Sequence, residues 1–136
     1  MSLRKDYIER LIEEFAAALA RIIKAGREKK LADAQRLIQE TALSTLGMEY
    51  AALLMADPAS TARLLGAPPR VKVLARLVAE DAALIAEQGD AATATSRFHY
   101  ALALYEEVQA AGLTLDADDT ATITRLRGLL AASDSR

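Results

Sequence analysis

Apolar residues recur along this chain at steps of three and four, the period of helices that bury one face. Ile8, Leu11, Ile12, Phe15, Leu19, Ile22 and Ile23 mark a long first helix from about Leu3 to Ala25, ended by Gly26. Leu31, Ala34, Leu37, Ile38 and Ala42 mark a second, from Leu31 to Leu46, stopped by Gly47. The short turn between them makes an antiparallel hairpin. The pattern then breaks. Met48, Tyr50, Leu53, Leu54 and Met55 read as a short apolar helix, and Asp57-Pro58 as the cap of another over Ala59 to Leu65. Gly66-Ala67-Pro68-Pro69 predicts an extended connector.

Regular spacing resumes with a third segment, Arg70 to Gln88, carrying Val71, Leu74, Leu77, Val78, Leu84 and Ile85 inward. Gly89-Asp90 is a turn and cap. The fourth segment, Ala91 to Ala111, places Ala94, Phe98, Ala101, Leu102, Tyr105 and Val108 on one stripe and ends at Gly112. Asp116 caps a fifth, Ala117 to Ala131, with Ala121, Ile123, Leu126, Leu129 and Leu130. The expected fold is all-α and a single domain over 1–136, with about five main helices and one or two short inserted ones. A first hairpin spans 3–46, an insertion 47–70, a second hairpin 71–111 and a closing helix 116–132.

Composition supports helices: alanine supplies 30 positions and leucine 21. Small alanines also let helices approach closely. Net charge is −2, so no polyanion-binding surface is expected and nucleic acid is not an expected partner. The first 68 residues carry 10 basic and 9 acidic groups; the remainder carry 7 and 10, which leaves a mildly acidic C-terminal half. There is no cysteine and no asparagine, which removes disulfides, thiolate metal sites and N-glycosylation acceptors. The opening residues lack an apolar signal core, and no apolar run approaches membrane-spanning length. A cytoplasmic protein with no membrane partner is the expectation.

The run Gly89 to Leu102 resembles the second helix of a tetratricopeptide repeat. Such helices place a small residue five positions after the turn glycine, an aromatic nine after it, and a small–large pair at twelve and thirteen. Ala94, Phe98 and Ala101-Leu102 stand there; Ala91 stands where a bulkier residue is usual. Counted from Lys29, the same positions are Ala34, Ile38 and Thr41-Ala42, without the glycine and the aromatic. The opening Leu3-Arg4-Lys5-Asp6-Tyr7-Ile8, followed by Ile12-Glu13, is similar to a family of short, uncharacterised bacterial proteins that carry one such repeat near the C-terminus, here Val73 to Leu104. The resemblance implies a right-handed stacked array of helical hairpins with a C-terminal capping helix, and no known activity.

Chemistry-bearing residues are sparse. His99 is the only histidine and has no cysteine to join it, so a helix-surface or half-buried position is favoured over a metal role. Asp116-Ala117-Asp118-Asp119 lacks the glycine and distant glutamate of a calcium loop and reads as a helix cap. Glu9, Glu13 and Glu14 lack the Glu-x-x-His partners of a carboxylate metal bundle. Asp81 falls on the inward side of its helix and calls for a partner, with Arg97 in reach. No catalytic, cofactor-binding or metal-binding residue is expected, and no cofactor.

The leading functional expectation is a non-catalytic protein-interaction or scaffold module that binds a protein or peptide. In the repeats it resembles, first-helix side chains line the groove, which implies Arg76, Ala79, Ala83 and Glu87 in the second hairpin. In the first hairpin it implies Leu19, Ile23 and Arg27, with Ala16 beside them. An apolar groove of this kind is covered by a partner or by residues 48–65. The alternative is a self-assembling homodimer that buries Tyr7, Ile8, Leu11 and Phe15 of the first helix about a two-fold axis. A small-ligand-binding helical bundle is the third reading.

Overall fold

The computed structural model describes residues 3–134, and the side chains up to Ala132. Among them the chain forms seven helices and no strand: α1 (Leu3–Arg27), α2 (Leu31–Leu46), α3 (Tyr50–Leu53), α4 (Pro58–Leu65), α5 (Pro68–Glu87), α6 (Ala91–Ala110) and α7 (Ala117–Asp134). They fall into two compact units, Met1–Met55 and Ala56–Arg136. The division lies inside the stretch that interrupts the helical pattern.

In the first unit, α1 and α2 pack as an antiparallel hairpin with α3 against α2. Leu11, Ala18, Ile22 and Ala25 are the buried line of α1, and Ala34, Ile38, Ala42 and Leu46 that of α2. Alanine at Ala18, Ala25, Ala34 and Ala42 lets the two backbones come close. Thr41 and Thr45 also lie on the buried face. Their hydroxyls donate to the carbonyls of Leu37 and Thr41, each at 2.6 Å, which removes the cost of burying them. Only part of the expected α1 stripe is buried: Ile8, Phe15, Leu19 and Ile23 are half-buried, and Ile12 is 53% exposed.

In the second unit, α4, α6 and α7 all pack on α5, and α4 and α7 also pack on α6. Helix α5 is accordingly buried around most of its circumference. It starts at Pro68, two residues before the expected start at Arg70. The two prolines occupy the first helical turn, where a missing N–H costs nothing, and only Gly66-Ala67 remain as connector. Gly66 sits at φ +81°, ψ −85°, a conformation that side-chain-bearing residues rarely adopt.

Expected stripes on α6 and α7 are adjusted in detail. Leu104, rather than Leu102, completes the buried face of α6; Leu102 is half-buried. On α7 the buried line is Asp119, Thr122, Ile123, Leu126 and Leu130, whereas Ala121 and Leu129 are exposed. Two of those five are polar, and an apolar-only pattern misses them.

The same turn closes both hairpins. Between α1 and α2, Lys29 adopts φ +62°, and the Lys30 N–H donates to the Ala25 carbonyl at 2.9 Å. Between α5 and α6, Gly89 adopts φ +91°, and the Asp90 N–H donates to the Ile85 carbonyl at 3.3 Å. At the end of α6, Gly112 (φ +90°) and the bond from Leu113 to Val108 repeat it. Each is a left-handed helix stop with its six-to-one hydrogen bond. The stop after α1 is therefore Lys29, not Gly26, which lies within the helix.

A lysine in that conformation costs about 1–2 kcal/mol, partly offset in glycine by its looser unfolded chain. Lys29→Gly is expected to stabilise the protein by about 0.5–1 kcal/mol, read as a rise of a few degrees in Tm. Gly128 is the reverse case. It lies inside α7, and a β-carbon there meets nothing within 4 Å. Gly128→Ala is expected to add about 1 kcal/mol in the same measurement.

Candidate interaction surfaces and the charge cluster of the second unit

Arg76, on the face of α5 that turns toward α7, is only 9% exposed. Its Nε donates to Glu80 Oε2 at 2.9 Å, and a second guanidinium nitrogen bonds the Asp118 carboxylate. Glu80 Oε2 also accepts from Arg125 of α7 at 2.7 Å. One turn earlier, Lys72 Nζ lies 3.1 Å from Asp119 and 3.6 Å from Asp116. The acidic first turn of α7 thus meets a basic row on α5, and the pairing closes again through Glu80 and Arg125. Burial works against the Arg76 charge, but Glu80 and Asp118 outweigh it, holding its pKa above the ordinary arginine value.

Asp116 and Asp119 also cap α7 reciprocally. The Asp119 N–H donates to Asp116 Oδ1 at 2.9 Å, and the Asp116 N–H to Asp119 Oδ2 at 3.0 Å. The acidic triplet therefore acts as a cap, with the pairing to Lys72 and Arg76 added. Among the described residues, no group of three or more histidines and carboxylates is placed to hold a metal ion.

The backbone N–H of Asp119, with Lys72 beside it, holds the Asp116 carboxyl below the usual carboxylate range. A carboxyl depressed in the folded state contributes stability above its unfolded pKa of about 3.9 and loses it as pH falls through the lower folded value. Unfolding followed by circular dichroism should show the Asp116 contribution to stability constant with pH near neutrality and lost progressively below about pH 4. Asp116→Asn should flatten that acid limb.

Tyr105 lies on the buried face of α6, at 1% exposure. Its hydroxyl is buried and finds no hydrogen-bond partner among the described residues. Burial pushes its pKa up, so it stays protonated. Asp81 is paired with Arg97 across α5 and α6, Oδ2 to Nε, at 3.8 Å, an ion-pair rather than a hydrogen-bond distance. Midway along α6, Tyr100 bridges to the loop before α4: its hydroxyl donates to the Ala56 carbonyl at 2.8 Å and lies 2.8 Å from Thr61 Oγ1. His99, its neighbour, is exposed.

The residues expected to line a groove separate by exposure. Ala79 is fully buried and Arg76 is held in the charge cluster, so neither offers a side chain to a partner. The period of α5 puts both on a face that α7 and the core use, which the spacing of a single helix does not reveal. Ala83 is half-buried and Glu87 exposed. In the first unit, Leu19 and Ile23 are half-buried, and Ala16 and Arg27 are exposed. Of the residues expected at a two-fold interface, Leu11 is already buried at 3% exposure, Ile8 and Phe15 are half-buried, and Tyr7 is exposed. Leu11 is thus part of the core of the chain itself.

Shallow hollows lie among the described residues. One, of about 350 Å³, is lined by Ala86, Gly89, Ala91, Ala94, Phe98 and Leu129 among others in the second unit. Another, of about 390 Å³, lies between α2 and α3 and is lined by Gln39, Glu40, Leu43, Glu49, Tyr50 and Ala51. The pattern of expected groove residues pointed to neither. No described helix is long and apolar enough to cross a membrane. Comparison with protein-family models, with curated proteins and with solved structures finds no match.

Proposed function

We propose that this chain is a non-catalytic protein-interaction module of the tetratricopeptide-like kind, working in the cytoplasm through the outer face of its first helix. The observation that supports this reading is the repetition of one hairpin design. The α1–α2 and α5–α6 pairs share a three-residue connection, a left-handed middle residue and the same six-to-one hydrogen bond. Repeated helical hairpins expose long regular faces, and such faces serve recognition. The ionic groups of the second unit hold helices together, with Arg76, Glu80 and the α7 cap each engaged in a structural bond.

The partner surface proposed is the α1 face carrying Ala16, Leu19, Ile23 and Arg27, whose side chains are exposed or half-buried. Its apolar middle and single basic end suit an amphipathic helix or strand with an acidic flank. The test is selection of a displayed random-peptide library on the immobilised protein, followed by calorimetry of the recovered peptide. Binding that is lost in Ala16→Glu and weakened in Arg27→Glu supports the reading. An empty selection, or peptides indifferent to both changes, overturns it.

A further inference from the structure

We propose that the hollow between α2 and α3 is a docking site for the first turns of α1 from a second copy of this chain, exchanged reciprocally about a two-fold axis. This rests on the reading of the protein as an interaction module and names the partner for a different surface of it.

Three observations in the first unit support it. First, α1 has 25 residues and α2 only 16. At about 1.5 Å per residue, the start of α1 overhangs its antiparallel neighbour by about 13 Å. Second, the overhang presents apolar side chains to solvent. Leu3 is 88% and Tyr7 42% exposed, one helical turn apart and so on one face. The hollow offers an apolar side chain in turn: Leu43, in its lining, is 54% exposed. Third, the charges are complementary. Residues 3–10 carry Arg4, Lys5 and Arg10 against Asp6 and Glu9, a net of +1. Arg4 and Arg10 border the Leu3–Tyr7 face, and both are exposed. The hollow is rimmed by the exposed carboxylates Glu40 and Glu49, with Arg36 3.7 Å from Glu40.

Because the hairpin is antiparallel, the start of α1 and the end of α2 lie at the same end of the unit. A two-fold axis there lets each overhang cover the other copy's hollow, so both apolar patches leave water together and the contact closes on itself. Leu11, buried in the hairpin, is not required. The electrostatic term gives specificity and weakens with salt.

The experiment is sedimentation equilibrium of the full chain over a wide dilution series, at low and high salt, with helix content checked by circular dichroism. A dimer is expected, weakened by salt. Arg4→Glu with Arg10→Glu should raise its dissociation constant about tenfold, as should Glu40→Arg with Glu49→Arg, and joining all four reversals should restore it. Leu43→Asp should leave a folded monomer. A wild-type monomer, or a dimer unmoved by either reversal, overturns the proposal. The wider reading is judged separately, because the charge-reversed protein is put through the same peptide selection. Peptide binding retained there keeps the module and rejects only the self-docking.

Discussion

Glu80→Ala is expected to destabilise the protein by about 3–5 kcal/mol, the largest effect of any single polar substitution. Glu80 Oε2 accepts from both Arg76 and Arg125, and removing it leaves the Arg76 guanidinium with Asp118 alone. Arg76 is buried, so the lost acceptor is not replaced by water, while Asp118 is well exposed and shared with solvent. The cost is that of an under-compensated buried charge rather than the net worth of the ion pair. Replacing both partners, Arg76→Met with Glu80→Met, should recover most of the loss, because apolar groups of similar length fill the space without a charge to satisfy. Chemical denaturation of the three proteins measures this directly. A single-mutant loss below about 1 kcal/mol, the level of a surface pair, would show that the cluster is hydrated.

Leu104→Ala should cost about 2–5 kcal/mol and Leu102→Ala markedly less. Leu104 has no exposed surface and lies on the face of α6 shared with Ala101, Tyr105 and Val108. Removing its side chain leaves a cavity walled by helices that cannot collapse onto it. Leu102 is half-buried, and its truncation removes less contact and opens the space to water. Equal losses at the two positions would mean that α6 is rotated from the orientation described here. The pair is diagnostic because the repeat-like spacing from Gly89 selects Leu102, whereas packing selects Leu104.

That discrepancy shows where legibility in the sequence ends. Helix existence was readable throughout, because three-and-four periodicity, caps such as Asp57, Asp90 and Asp116, and the glycine stops at Gly47, Gly89 and Gly112 are local features. Asp57 and Asp90 accept the N–H groups of Ser60 and Thr93 as their types and spacing require. The hydroxyl of Ser60 in one case and Thr93 in the other, with those N–H groups, holds both carboxyls below the usual range. The pairing of Asp81 with Arg97 was also readable, since a carboxylate on an apolar face needs a cation and few basic residues lie near. The start of α5 at Pro68 was less so, because Pro-Pro is compatible with both a connector and a first helical turn.

The groove residues depended on more than one helix. Arg76 and Ala79 occupy positions that a two-helix repeat leaves open, yet α5 here is surrounded by α4, α6 and α7. The hollow between α2 and α3 likewise arises from how a four-residue helix folds back, a matter of packing rather than period. The sequence by itself determined the helical segments and most of their caps and stops, since each depends on side chains within a few residues of one another; the stop at Lys29 and the start of α5 at Pro68 are the exceptions. Only the tertiary structure decided how much of each expected stripe is buried, that α7 is held to α5 by charge, and which apolar side chains remain in water. Those outcomes depend on distant segments competing for the same surface, and no local pattern records the result.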